Sequence, residues 1–417
     1  MHFVFLQGMP SFFFSRIGAK LEAQGHRVTR VNLCWGDALF WRGTTSLDYR
    51  GSLGGWPAFI SDFYAKNNVT DLVLLGEQRK YHKEAVAIAR QRGIRVTVTD
   101  FGYLRPDWIT FERDGMSSLS RFPRKPDSIR KLAAQADPPD LSPKYVDDFW
   151  TMARCDLLHS FSSLLGLFLY PFYRQSDERP HPLIYFPAVG WRLLFRKMKR
   201  CRAKERLAAM VKAPTRFFVF PLQLTHDFQI VAYSPFKDLG EAILTVLDSF
   251  TTHAPPDTRL LIKLHPWDPG LKNWKNFIFR TAEPLGIHDR IDYFDGGDLD
   301  EMCRHAAGMV TINSTSGVRA LQLGCPVVTL GDAVYDIDGL TFRHGLDRYW
   351  SEATRPDPAF VDAFIRALAA TIQIRGVFFS EPGLSTAIAE AVQRLSQQKV
   401  GEVREVSATL GRDKNKC

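Results

Sequence analysis

His2-Phe-Val-Phe-Leu6, then Gln-Gly-Met-Pro-Ser11, then Phe12 to Gln24 and His26-Arg-Val-Thr-Arg-Val-Asn32 is the stretch that decides the fold. The short apolar run reads as a buried strand and Gln7–Ser11 as a loop. Phe12–Gln24 follows as a helix stopped by Gly25, and residues 26–32 as the next strand. This βαβ start recurs: Asp71–Leu75 as strand, Lys80–Gln91 as helix, Gly93 as the break, Ile94–Val98 as strand. Strands alternating with helices imply a parallel, doubly wound α/β sheet.

Between about residues 121 and 206 the strand signal fades while Pro, Arg and aromatic residues accumulate. Arg216–Pro221 restarts the alternation, followed by strands over residues 259–264, 290–294, 308–312 and 326–330 and a helix from Gly317 to Leu323. The expectation is GT-B-like: two Rossmann-like doubly wound domains facing a cleft. The first spans 1–214 with a basic, aromatic, helical insertion at about 121–206. The second spans 215–400, and 401–417 is a polar, frayed tail.

A chain of 417 residues suits two domains, each with its own core. With 45% apolar and 24% charged residues, the composition is that of an ordinary globular protein. The formal charge of +9 favours an acidic partner: a phosphorylated small molecule, anionic lipid or nucleic acid. No helix-turn-helix, RNA-recognition or zinc pattern supports nucleic acid. The six cysteines are scattered, without the spacing of a zinc site or a disulfide framework, which fits a reducing cytosol. The apolar N-terminus lacks a basic leader and a small-residue cleavage site, so it reads as the first core strand. Leu157–Tyr173 is interrupted by His159 and serines and broken by Pro171, which argues against a membrane span.

Two stretches carry chemistry. In Lys263-Leu-His-Pro-Trp-Asp-Pro-Gly270 the proline ends a strand and leaves His265 at its carboxyl edge, where open α/β sheets bind ligands. In Thr311-Ile-Asn-Ser-Thr-Ser-Gly317, Ser314, Thr315 and Ser316 fall at a helix start. Hydroxyls and free N–H groups there hold an anion, or simply cap the helix. Both stretches lie at strand ends in one half-chain. A histidine beside a hydroxyl-lined helix start suits a phosphate leaving with growing negative charge.

The His-Pro pair and Asn-Ser-Thr-Ser-Gly, together with FLQGMPSFFFSRIGAKLEAQGHRVTRVNLCWGD, FGYLRPDWITFERDG, FPLQLTHDFQI and YDIDGLTFRHGLDRYW, resemble the KpsS/LipB family of capsule polysaccharide proteins across about 350 residues. The resemblance implies a retaining glycosyltransferase that takes β-Kdo from CMP-Kdo and places it on a phosphatidylglycerol-type lipid, starting the poly-Kdo linker of a bacterial capsule. It implies no cofactor and no metal, and a cytoplasmic protein held at the inner membrane, with other capsule assembly proteins as candidate partners.

Retention by double displacement needs a carboxylate nucleophile and a second group as acid/base. Asp227, after the strand that opens the second domain, takes the first role here, and Asp100, ending a first-domain strand, the second. Relatives commonly carry Glu where Asp100 stands, one methylene longer. Glu77 is the reserve carboxylate. For both aspartates the plain alternative is a turn residue. His265, Asn313, Ser314, Thr315 and Ser316 are assigned to the CMP phosphate, and Lys263 is read as solvated. Gln7, Gly8, Ser11, Arg105 and Gln223 are assigned to acceptor and sugar, Arg105 gripping a carboxylate. Gly8 serves a tight turn in the plainer reading, Gln223 caps a loop, and Arg105 is simply exposed. The Asp-x-Asp in Gly296–Glu301 reads as a helix cap at Asp298 and not as a metal motif.

Trp191–Arg202, with six Arg or Lys among Trp, Leu and Phe, is an amphipathic basic stretch suited to an anionic bilayer, or else a solvated helix over the core. The rival functions are a GT-B enzyme with another donor (a UDP-sugar epimerase or a CDP-linked teichoic-acid-type polymerase) and a non-catalytic capsule-assembly scaffold.

Overall fold

The computed structural model describes residues 1–43, 45–175, 179–212, 215–225 and 227–403; of the tail expected at 401–417, residues 404–417 lie outside them. In the first half β1 (His2–Phe5), β2 (Arg27–Asn32), β3 (Ser46–Asp48), β4 (Asp71–Leu75), β5 (Arg95–Phe101) and β6 (Trp108–Arg113) alternate with α1 (Phe13–Ala23), α2 (Trp35–Leu39), α3 (Trp56–Lys66) and α4 (Lys80–Gln91). The insertion follows as α5 (Pro126–Ala134), α6 (Phe149–Leu165) and α7 (Pro182–Lys212). In the second half β7 (Phe217–Pro221), β8 (Arg259–Lys263), β9 (Ile291–Phe294), β10 (Gly308–Thr311) and β11 (Val327–Thr329) alternate with α8 (Phe228–Ala232), α9 (Leu239–His253), α10 (Trp274–Ala282), α11 (Leu299–His305) and α12 (Ser316–Gln322). The chain closes with α13 (Leu346–Glu352), α14 (Pro358–Thr371), β12 (Gln373–Arg375) and α15 (Gly383–Ser396).

The second sheet, ordered β11-β10-β7-β8-β9, is parallel throughout. Its strands are buried on both faces, which is why they read as unbroken apolar runs. The first sheet is ordered β12-β6-β5-β4-β1-β2-β3, and β1 to β5 are parallel as expected. β6 instead runs antiparallel to β5, and β12 antiparallel to β6. The helix stops read from sequence are real: Gly25 and Gly93 take φ of 82° and 70°, the left-handed position that ends a helix without a Cβ penalty.

The expected second domain, 215–400, is corrected at its end. β12 crosses back into the first sheet, where the Gln373 amide donates to Thr110 Oγ1 at 3.1 Å. Leu384, Ala387 and Ile388 of α15 share a core with Phe13 and Ile17 of α1. A second apolar core joins the halves, with Tyr103, Phe122 and Ile129 packed among residues of α12 and α14; Phe122 meets Phe364 edge-on at 5.6 Å.

Candidate functional site

In each sheet the strand order reverses around one strand, and the loops after the strands on either side of that reversal form a crevice. In the first sheet these loops follow β1 and β4, bringing Gln7–Ser11 near Glu77 and Arg79; in the second they follow β7 and β10, bringing Gln223 and Asp227 to Asn313 and Ser314.

Asp227 lies at the N-cap of α8, its Oδ1 accepting from Gln229 N at 3.0 Å. The turn alternative is thus realised, yet the cap is held by a polar frame that a bare turn does not need. Gln223 Nε2 donates to Asp227 Oδ2 at 3.3 Å and to Asn313 Oδ1 at 3.0 Å, and Asn313 N donates back to Gln223 Oε1. Asn313 Nδ2 then donates to the carbonyls of Gln229 and Tyr233, fixing both ends of α8. Gln223 and Asn313 are buried. Their amides therefore orient Asp227 and do not lie open in the crevice.

Asp100 ends β5, with Oδ1 accepting from Phe101 N at 2.7 Å. Burial raises its pKa, against the backbone hydrogen bond and the guanidiniums of Arg79 and Arg105. Burial also raises that of Asp227, opposed by the Gln229 and Gln223 hydrogen bonds and reinforced by the charge of Asp100. The charge of Asp100 on the first sheet thus reaches Asp227 on the second. Arg105 is exposed, with its guanidinium 5.0 Å from the Phe101 ring centre.

Glu77 is no cleft carboxylate. It is buried, its Oε1 accepts from Met116 N at 3.2 Å and from the Tyr233 hydroxyl, and burial pushes it up to about 7. Tyr233 ends α8, so this contact ties the helix capped by Asp227 to the first sheet. Phe228 packs against Gly76, and the Arg79 guanidinium lies 6.0 Å from the Phe228 ring.

His265 Nδ1 accepts from Trp267 N at 3.2 Å, which leaves the proton of the neutral ring on Nε2, the donor a phosphate oxygen needs. Ser314, Thr315 and Ser316 are half-buried. Thr315 occupies the cap position of α12 without a side-chain cap; instead Ser314 Oγ accepts from Ser316 N at 3.2 Å and from Ser316 Oγ at 2.9 Å. Lys263 corrects its reading: it is buried, and burial lowers its pKa against the pull of Asp298 and Asp295. Asp298 caps α11 as expected, accepting from Asp300 N at 2.9 Å.

On the acceptor side, Gly8 is required by packing: a Cβ there would lie 2.5 Å from the Phe14 ring. Ser11 Oγ accepts from Phe13 N, and Gln7 Nε2 donates to Asp37 Oδ1 at 3.1 Å. Gln7 thereby joins a buried group that sequence reasoning missed. Arg30 lies 3.3 Å from Asp37, His159 Nε2 also 3.3 Å from it, and Cys34 Sγ 3.8 Å from His159 Nε2. Burial opposes the His159 charge, but Cys34 and Asp37 outweigh it and push the imidazole up to about 10. Cys34, Asp37 and His159 are close enough to share a cation. Arg30 already supplies positive charge against Asp37, however, so the group reads as an ion network pinning α6 to α2. Its sequence trace was a histidine inside an apolar run, and Cys-Trp-Gly-Asp ahead of it.

Trp191–Arg202 lies on α7, which has two faces. Arg192 and Lys199 each reach Asp295 at 2.6 Å, Arg196 sits 5.3 Å from the Trp267 ring, and Ala203 and Leu207 enter the core under β7 and β8. Leu183, Ile184, Trp191, Leu194, Phe195 and Met198 are all exposed. At 100° per residue they fall within roughly 120° of arc, opposite the docked cations. The stretch is amphipathic as expected, but several of its cations hold the second domain.

The family model described as capsule polysaccharide biosynthesis protein matches residues 70–379. The capsule polysaccharide export protein KpsS of Escherichia coli is 30% identical over 383 residues, covering 90% of this chain and 96% of that one. The capsule polysaccharide modification protein LipB of Neisseria meningitidis serogroup A is 31% identical over 389 residues, covering 90% and 91%. Among solved structures, the β-Kdo 2,7 transferase of Thermosulfurimonas dismutans KpsC aligns over 96% of this chain and all of that one, with 15% identity and a TM-score of 0.45.

Proposed function

The chain belongs to the capsule polysaccharide biosynthesis protein family, and from that premise we propose that it is a retaining glycosyltransferase moving β-Kdo from CMP-Kdo to a phosphatidylglycerol-type lipid at the cytoplasmic face of the inner membrane. The observation that carries this reading is that Asp227 and Asp100 follow strands of the two different sheets, each held by its own hydrogen bonds, with the charge of Asp100 reaching Asp227.

In the first displacement an Asp227 oxygen bonds to the anomeric carbon of Kdo as the bond to the CMP phosphate breaks, and the electron pair leaves with CMP. The His265 Nε2–H and the hydroxyls of Ser314, Thr315 and Ser316 receive the phosphate charge. In the second, the acceptor hydroxyl gives its proton to Asp100 and bonds to the same carbon as the Asp227 ester opens. Two inversions retain the configuration. A base must be unprotonated when the acceptor arrives, and Arg79 and Arg105 stabilise that form of Asp100. The Gln223 and Gln229 donors do the same for Asp227. Arg105, whose charge acts on Asp100, is assigned to the Kdo carboxylate, and its exposure supports that role.

The test is incubation with CMP-Kdo generated in situ and short-chain phosphatidylglycerol, following the lipid by mass spectrometry. A gain of one Kdo, lost in Asp227→Asn and His265→Ala, supports the reading. Transfer that survives Asp227→Asn would retire Asp227 as nucleophile, and no gain with wild-type protein would retire the reaction.

A further inference from the structure

The segment Phe149–Lys212 is unlike the rest of the surface. It holds twelve Lys and Arg against four Asp and Glu, so eight of the chain's nine net positive charges lie in it. Among the described residues it also carries twelve of the nineteen exposed large apolar side chains. The apolar ones do not stop at the outward face of α7. They continue over the apex joining α6 to α7, where Leu165, Leu167, Phe168 and Phe172 are 67%, 44%, 76% and 58% exposed. Among the described residues no helix is long and apolar enough to cross a membrane. An exposed apolar ridge flanked by Arg174, Lys197, Arg200 and Arg202 matches an anionic bilayer surface in both greasiness and charge.

The same insertion borders a cavity of about 110 Å³ between the first βα loop, α6 and the start of α7, lined by Gly8, Arg79, Ser160, Tyr173, Arg179 and Phe186 among others. Arg179 is paired with Asp156 through both carboxylate oxygens, at 2.7 and 2.9 Å. Arg79 makes no ion pair among the described residues, and its buried Nε has no hydrogen-bond partner. The same guanidinium acts on the Asp100 carboxyl. The cavity therefore runs from Tyr173, next to Phe172 of the apolar ridge, to Arg79, whose guanidinium also acts on the proposed base.

We propose that this cavity is the headgroup site of the lipid acceptor, with Arg79 binding its anionic phosphodiester and the α6–α7 apex seated in the bilayer that supplies it. The proposal rests on the transferase reading and places its acceptor. The acyl chains remain at the ridge, the phosphodiester meets Arg79, and the glycerol hydroxyl extends toward Asp100. The second domain is left to the nucleotide.

The experiment uses the full chain, phosphatidylglycerol-containing vesicles and phosphatidylcholine vesicles, with short-chain phosphatidylglycerol as the soluble form. The double variant Leu167→Ser/Phe168→Ser alters only exposed side chains. It should lose sedimentation with anionic vesicles roughly tenfold or more and lose transfer to vesicle-borne acceptor in step, while keeping transfer to the short-chain lipid. Arg79→Gln should still sediment with vesicles and bind CMP. It should lose calorimetric binding of short-chain phosphatidylglycerol and show a raised acceptor KM. Vesicle binding by the apex variant equal to wild type would overturn the docking surface, and unchanged short-chain binding by Arg79→Gln would overturn the headgroup site. Wild-type protein that binds both lipid forms in this residue-dependent way but transfers no Kdo would uphold the site and retire the transferase.

Discussion

At the carboxyl ends of the first sheet, Gln7, Arg30 and Asp37 are buried with His159 and turned on one another, whereas at those of the second, His265 and Ser314 to Ser316 stay half-exposed. Both are crevices at a reversal of strand order in the same kind of sheet. The floor of the first is fixed by an internal ion network, and the α6–α7 insertion leaves a cavity of about 110 Å³ above it. The second leaves His265 and the hydroxyl side chains of Ser314 to Ser316 half-exposed at its mouth. A fold of this kind offers two equivalent crevices, and the side chains beneath each loop decide how much of each is fixed framework and how much is a receiving surface.

That division is sharpest in substitutions. Asp227→Asn should lower Kdo transfer by on the order of 10³- to 10⁴-fold without changing the thermal midpoint appreciably, because it removes a reacting atom and keeps the cap geometry. A midpoint that falls with the activity would instead make Asp227 part of the framework. Asp37→Ala should do the reverse and destabilise the fold by about 3–5 kcal/mol in chemical denaturation, since buried Arg30 and half-buried His159 are left charged without their partner. His265→Ala comes next: about 1.5–3 kcal/mol from one charge-assisted hydrogen bond, read as a roughly 10- to 100-fold weaker CMP interaction with an unchanged midpoint. Equal losses in both crevices would erase the comparison.

The smallest effects are in pH. His159 is held at about 10 in the folded chain against 6.5 unfolded. Its raised pKa contributes stability that is fully present below about 6.5 and lost progressively as pH rises toward about 10. Denaturation curves across that window should show wild type declining while Asp37→Ala declines less. The activity profile should behave oppositely. Asp100 and Asp227 must both be ionised to work, and burial raises both, so transfer should fall with acidification at a pH above the ordinary aspartate range of about 3.9.

Much of the site was legible because its signals are local. A proline after an apolar run ends a strand, so His265 had to lie at a sheet edge. Asp298 was legible as a cap for the same reason, and Asp227 as a turn residue after a strand, though not as the cap of α8. The sequence did not reveal that Gln223 and Asn313, ninety residues apart, would bond to each other and frame Asp227. Nor did it show that Glu77 would meet Tyr233, or that Lys263 would be buried. Those outcomes depend on which strand ends become neighbours, and strand order is not written in any one strand.

The same boundary separates the helices. α7 was readable as amphipathic and basic from its 3.6-residue period alone, because periodicity fixes which residues share a face. Which face would pack on the second sheet, and which would stay bare, depended on Asp295 and Trp267 being brought against Arg192, Lys199 and Arg196 by the loops after β8 and β9. β12 was likewise too short to announce a destination. It joins the first sheet because the exposed edge of β6 needed a hydrogen-bonding partner and α14 delivers the chain there. The sequence by itself determined the elements, their ends and the chemistry they carry, since these follow from a few adjacent residues. Only the tertiary structure decided the partners, because burial, ion pairing and strand order are properties of residues distant in the chain and close in space.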